Sequence, residues 1–307
     1  IQLVYEERRD NTAVLSAGLD LQDVKISLPG LDWVKLPGLP GTAQVSASLR
    51  DGAIITVDHF QLDSGIFSMI GEITFATREE RKGQEIATLR LKKFKLGLTE
   101  FSANIQKEDP EGYSIAVNGR GLDASPFLRR SLKDFHAPNL PRFRLTGKFD
   151  KFWIGSDLPA NNVELKIRYD GKHWQNINLR GALPRGGKTL EFRMLPDESG
   201  HVMALYSADA GLFLKAMNIT DTISGGSIEI AGIRKDGSDS PWTGTAEMKR
   251  FRIANAPGIA RLFSIASFTG LGNLVAGRGI EFKRFRLPFV FENDVAIIKG
   301  AQGFGSE

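Results

Sequence analysis

Apolar and polar residues alternate through most of this chain, and turn residues cut the alternation at short intervals. Gln44-Val45-Ser46-Ala47-Ser48-Leu49 alternates, Arg50-Asp51-Gly52 turns, and Ala53 to Val57 returns. The unit recurs as Val163 to Tyr169, Asp170-Gly171, then Trp174 to Ala182, and again as Phe285 to Phe291, Asn293-Asp294, then Val295 to Ile298. A period of two is that of a strand with one face buried, and Asx or Gly at the break supplies the positive φ that tight hairpins need. Further strands are expected over 66–76, 86–95, 98–107, 113–119, 143–152, 188–195, 200–206, 226–234 and 242–253. The pattern predicts a mainly β fold, a long antiparallel meander of roughly 20 strands.

Three stretches carry helical spacing instead. Ala124 to Phe135 places Phe127, Leu128, Leu132 and Phe135 after the cap-type Asp123, with Pro126 in the first turn. Asp209 to Met217 places Leu212, Phe213 and Ala216 after an aspartate. Asn255 to Phe268 places Ile259, Leu262, Phe263 and Ala266 on one stripe, either packed on the sheet or closing one end of it. The first two helices begin alike, which marks a weak internal repeat of strands followed by a short capped helix.

A second echo is basic. Leu91-Lys92-Lys93-Phe94-Lys95-Leu96, Met248-Lys249-Arg250-Phe251-Arg252-Ile253 and Phe282-Lys283-Arg284-Phe285-Arg286-Leu287 each put two cations in a row where alternation allows one. A β-bulge absorbs such an extra residue. These strands read as a basic surface that meets phosphate headgroups, or as a solvated face whose charge discourages edge-to-edge aggregation. Leu28 to Gly41 holds three Leu-Pro-Gly triplets and must be irregular or edge-like, because proline cannot donate to a central ladder.

Little in the chain points to catalysis. Gly186-Gly187-Lys188-Thr189 imitates the end of a phosphate loop, but a strand follows where a helix is required, so a hairpin is the better reading. Gly270-Leu271-Gly272 lacks the third glycine of a dinucleotide fingerprint and reads as a helix stop. The four histidines stand singly, and no Gly-x-Ser-x-Gly elbow occurs. The expectation is a protein without enzymatic activity, metal or cofactor. A net charge of +4, with no basic helix or stacking platform, gives no reason to expect nucleic acid as a partner. There is no cysteine, which fits a periplasm and a cytosol equally. No apolar run approaches the roughly 20 residues that span a bilayer. The chain begins at Ile1 without a signal peptide and reads as a segment, with any membrane anchor lying outside it.

Gly119-Arg120-Gly121-Leu122-Asp123-Ala124-Ser125-Pro126-Phe127-Leu128 resembles a recurring segment of the AsmA-like family, the YhdP and TamB type of envelope protein. Phe251-Arg252-Ile253-Ala254-Asn255-Ala256-Pro257, the helical stretch after it, and Gly277-Arg278-Gly279-Ile280-Glu281-Phe282 are similar to that family's C-terminal region. Gly30-Leu31-Asp32-Trp33-Val34-Lys35-Leu36-Pro37-Gly38 resembles a segment nearer the middle. These motifs are structural and carry no catalytic signature.

The resemblance implies a periplasmic protein anchored in the inner membrane by an N-terminal helix. It also implies a sheet curled into an elongated β-groove that carries phospholipids between the inner and outer membranes. On that reading the chain comprises groove segments 1–120, 121–218 and 219–307, the last with the helix 255–268. Acyl chains are the expected ligand, and Phe251, Ile253, Phe263, Phe285, Leu287, Phe289, Phe291 and Ile298 are the candidate lining. A slip of alternation at Lys283-Arg284 puts Phe285, Leu287, Phe289 and Phe291 on one face, and a turn at Asn293-Asp294 pairs Phe291 with Ala296 and Phe289 with Ile298. Two other classes remain open at this stage. One is a scaffold or assembly factor that binds another envelope protein. The other is a carbohydrate-binding β protein, if Trp153, Trp174 and Trp242 share a platform.

Overall fold

A computed structural model of the chain describes residues 1–8, 10–28, 31–76, 85–109, 112–131, 140–184, 186–235, 240–254, 279–292 and 295–305. The described residues are mainly β, with two short helices. In order these are β1 (Gln2–Glu7), β2 (Thr12–Asp20), β3 (Ile26–Leu28), β4 (Trp33–Lys35), β5 (Thr42–Arg50), β6 (Ala53–Ser64), β7 (Phe67–Ala76), β8 (Glu85–Leu96), β9 (Thr99–Asp109) and β10 (Gly112–Asp123). There follow α1 (Ser125–Ser131), β11 (Arg142–Trp153), β12 (Ala160–Tyr169), β13 (Trp174–Leu183), β14 (Lys188–Asp197), β15 (Gly200–Ser207), α2 (Ala210–Ala216), β16 (Ile223–Lys235), β17 (Trp242–Ile253), β18 (Ile280–Glu292), β19 (Val295–Ile298) and β20 (Gln302–Gly305). The meander expected from the alternation is therefore present, and most expected strands fall within a few residues of their bounds, but β6 runs seven residues past Val57, β18 starts five residues before Phe285, and β1 to β4 and β20 lie where the alternation pointed to no strand. The expected helix 255–268 and its Phe263 lie outside the described residues, as do Leu132 and Phe135.

The chain divides into two compact units, the first built mainly on residues 1–127 and the second mainly on residues 173–307. In the first unit the antiparallel ladder runs β1, β2, β5, β6, β7, β8, β9, β10. In the second it runs β12, β13, β14, β15, β16, β17, β18, and both β19 and β20 pair with β18. No described pairing closes either ladder into a barrel. Within the second unit α2 packs on β16.

Turn chemistry sets these registers. Asp51 and Gly52 take φ of 50° and 79° between β5 and β6, and Gly186 and Gly187 take 103° and 64° between β13 and β14. The glycine-lysine stretch after residue 185 is thus a hairpin and no phosphate loop.

The Leu-Pro-Gly region is more ordered than its composition implies. β3 and β4 form a separate two-stranded sheet with Ile26 opposite Lys35 and Leu28 opposite Trp33. Lys35 is only 1% exposed. Its Nζ donates to the carbonyls of Leu21 (2.6 Å), Val24 (3.0 Å), Gln22 (3.1 Å) and Leu36 (3.3 Å). An ammonium has three protons, and four carbonyl oxygens surround it, so its burial is compensated by strong charge-assisted bonds. The strap is tied back at Leu21, whose N–H donates to the Gly41 carbonyl at 2.8 Å. Trp33 then lies on the sheet, 4.8 Å from the ring of Phe67, with Phe94 and Phe101 stacked beyond.

Lys35→Met removes the cation and leaves these carbonyls without their donor. We expect a loss of about 3 kcal/mol of stability, read as a lower urea midpoint at unchanged slope. An unchanged midpoint contradicts the role assigned to Lys35.

Candidate functional site

Register alone assembles an apolar face in each unit. In the second unit, directly opposed residues run Leu165, Leu179, Phe192, Leu205, Ile230, Ala246, Leu287 across seven strands. A parallel row runs Ile167, Ile177, Met194, Met203, Gly232, Gly244, Phe289, Ile298. In the first unit one row runs Ala17, Val45, Phe60, Gly71, Leu91, Ala103, Val117. Large rings lie over the glycines of these rows. A Cβ on Gly71 would come within 2.6 Å of Phe60, and one on Gly244 within 2.9 Å of Phe289. Glycine inside a strand is costly by propensity, so these positions are explained by the close approach of the neighbouring ring.

Coverage of this face is uneven. At one end of the second unit's face, α2 seals a further row: Leu190, Ser207, Ile228 and Met248 are all buried, together with Ala210, Phe213 and Ala216 of the helix. Asp209 caps the helix by accepting from the Leu212 N–H at 2.9 Å, and the Ser207 hydroxyl donates to the Asp209 carbonyl at 3.0 Å. Gly211 sits tight on the sheet, since a Cβ there would meet the Ile223 carbonyl at 2.5 Å. In the first unit Trp33 of the strap lies against the ring of the buried Phe67, which in turn meets the buried Phe94.

Away from these covers, Leu165, Leu179, Phe192, Leu205, Ile230 and Leu287 are all partly exposed. A closed sandwich would bury such residues completely.

The candidate lining divides on this basis. Phe285, Leu287, Phe289 and Phe291 share the apolar face and are partly exposed, and Ile298 is 55% exposed on the edge strand β19. Phe291 pairs with Ala296 and Phe289 with Ile298, the register expected from the sequence. Phe251 (2%) and Ile253 (8%) are instead buried, and Phe251 stacks on Phe282 at 5.2 Å. The missing signal was coverage, which depends on residues far away in sequence.

The basic dipeptides are bulges, as their spacing implies. The register shifts between Leu91 and Phe94 on β8 and between Phe282 and Arg284 on β18, and Arg250 on β17 takes φ 54°. Each bulge keeps both cations outward and returns a phenylalanine to the apolar face.

The opposite face is ionic. Glu229 and Glu247 stand directly opposite each other, a repulsive arrangement that Lys249 relieves by reaching both, at 3.3 and 3.1 Å. Arg284 binds the other Glu247 oxygen at 2.6 Å. That bond, followed by those to Lys249, holds the Glu247 carboxyl below its ordinary value despite some desolvation. The bond to Glu247, then that to Glu229, raises Lys249. On β7, Glu72 is likewise lowered, first by Lys92 and then by Arg90.

The described residues contain no cluster of three or more potential metal ligands. Trp174 on β13 and Trp242 on β17 are separated by three strands, about 19 Å across the sheet. They do not adjoin one another along the ladder. No helix among the described residues is long and apolar enough to cross a membrane. No family model, no curated protein and no solved structure matches the chain.

A lowered folded-state pKa for Glu247 stabilises the fold above the ordinary value of 4.5 and ceases to do so as the pH falls through the depressed value. Site-resolved carboxyl NMR titration should therefore place Glu247 below 4.5, and Arg284→Gln should move it back up. A Glu247 titration unaffected by that substitution contradicts the assignment of cause.

Proposed function

We propose that the chain is a non-enzymatic lipid conduit, a periplasmic segment of an AsmA-like protein that carries phospholipids between the inner and outer membranes. The observation that carries this reading is the apolar row from Leu165 to Leu287, left partly exposed across seven strands of the second unit, beside a row that is buried at Met194 and Gly232 and partly or fully exposed elsewhere. Exposed apolar surface of this extent is costly in water and is retained where a ligand or partner covers it. From β12 to β18 the ladder spans six inter-strand gaps, about 29 Å. A membrane leaflet's hydrocarbon is about 15 Å deep, half of a core of about 30 Å. The face therefore accommodates acyl chains lying along it.

Its chemistry suits acyl chains. The rows are Leu, Ile, Phe, Met, Ala and Gly, with no charge that would have to be desolvated, so tails of different length and unsaturation meet the same surface. Headgroups stay in water at the rim. In this reading the sheet curls around its load as a groove, and an N-terminal anchor outside the chain holds it to the inner membrane. Movement along rows of equivalent contacts requires no nucleotide, and gradients or partners supply direction.

A specific observation favours the second reading, a scaffold for another envelope protein. The edge strand β1 is exposed along its whole length, including Leu3 (65%), Val4 (54%) and Tyr5 (57%). Exposed strand edges recruit other strands.

Photo-cross-linking separates the two. A photoreactive residue at Leu287 or Phe289 should capture phospholipid, and one at Arg286, on the ionic face, should capture none. Equal capture from both faces, or capture of protein alone from Leu287, contradicts the conduit.

A further inference from the structure

The ionic face changes character at its β18 edge. Over most of the second unit its charges are paired across strands, as Arg180 with Glu191 and Lys249 with Glu229 and Glu247. At the facing bulges of β17 and β18 the balance fails. Lys249, Arg250 and Arg252 meet Lys283, Arg284 and Arg286, while the carboxylates of these two stretches are Glu247 and Glu281. Arg252 is taken by Glu281 and Arg284 by Glu247. Arg250, Lys283 and Arg286 are exposed and make no ion pair among the described residues.

The bulges create this excess. Each gives a strand two successive outward residues, and because β17 and β18 are antiparallel the two cationic pairs face one another. Apolar residues join them on the same face. Phe304 of β20 lies directly opposite Arg284 and is 58% exposed. Ile297 of β19, opposite Val290, is 47% exposed, and Val295 is 56% exposed.

We propose that this patch docks on the surface of a lipid bilayer rich in anionic headgroups. The unpaired cations match a layer of phosphates, and Phe304, Ile297 and Val295 supply side chains that can enter the headgroup boundary. Protein partners select shape as well as charge. A sheet surface with dispersed cations and no pocket suits a laterally mobile layer of anions better than one fixed epitope. The patch lies on the face opposite the apolar rows, so docking leaves those rows free, and the proposal stands whether or not they carry lipid.

Flotation with vesicles tests this. The chain should bind vesicles of phosphatidylcholine mixed with phosphatidylglycerol and not vesicles of phosphatidylcholine alone. Raising NaCl from about 0.1 M to about 1 M, which shortens the screening length from roughly 10 to roughly 3 Å, should release it. The combined variant Arg250→Gln, Lys283→Gln, Arg286→Gln should bind about a hundredfold more weakly, at the usual contribution per basic residue near a membrane. Phe304→Ser, with every cation kept, should weaken binding several-fold. Circular dichroism of each variant verifies the sheet, and lipid co-purifying on the apolar face should be unchanged in the triple variant. Wild-type affinity in the triple variant, equal binding to neutral vesicles, or binding to polyglutamate with none to vesicles overturns the proposal.

Discussion

An antiparallel strand cannot choose which of its side chains meet a neighbour's, because the register of the ladder chooses for it. That coupling is what the rest of this structure depends on. Once the hairpin at Asp51-Gly52 pairs Leu49 with Ile54, and the one at Gly186-Gly187 pairs Leu183 with Lys188, every second residue along both strands is assigned a face. A slip by one residue would put Arg193 where Phe192 belongs and break a row that crosses seven strands. Each row residue is thus held by two neighbours, and the cost of misregister accumulates across the sheet.

The bulges are the device that keeps this coupling intact where the sequence departs from strict alternation. Without the bulge that absorbs the extra residue at Lys283, Phe282 and Phe285 would lie on opposite faces. With it their rings approach to 6.1 Å on one face, and Phe251 stacks beside them. The outward charges contribute little by themselves, since exposed ion pairs typically give 0.2–1 kcal/mol. Their weight lies in specificity. Glu229 and Glu247 tolerate direct opposition because Lys249 stands two residues along the strand, so the ionic pattern agrees with only one register.

This division of labour explains what was legible beforehand. Strand periods and turn residues are local, and from them the strands, the hairpins, the bulge at Lys283-Arg284 and the pairing of Phe289 with Ile298 could be read. The cap at Asp209 was equally local. Coverage was not legible. Phe251 and Phe285 carry the same Lys-Arg-Phe-Arg signature on adjacent strands, yet one is buried and the other partly open. The difference comes from burial that distant segments decide. Lys35 was hidden for the same reason. Beside three Leu-Pro-Gly triplets it reads as an ordinary solvated lysine, and only the return of the chain at Leu21, Gln22 and Val24 makes it the centre of a carbonyl cage.

The account turns on whether the partly exposed rows hold acyl chains. Solvent extraction of the gently purified chain, followed by mass spectrometry of the extract against a mock purification, measures this directly. The account predicts phospholipid in amounts comparable to the protein, and its loss when Leu205 and Leu287 are replaced by glutamate. Protein that remains folded, monodisperse and free of lipid above the mock level would contradict it.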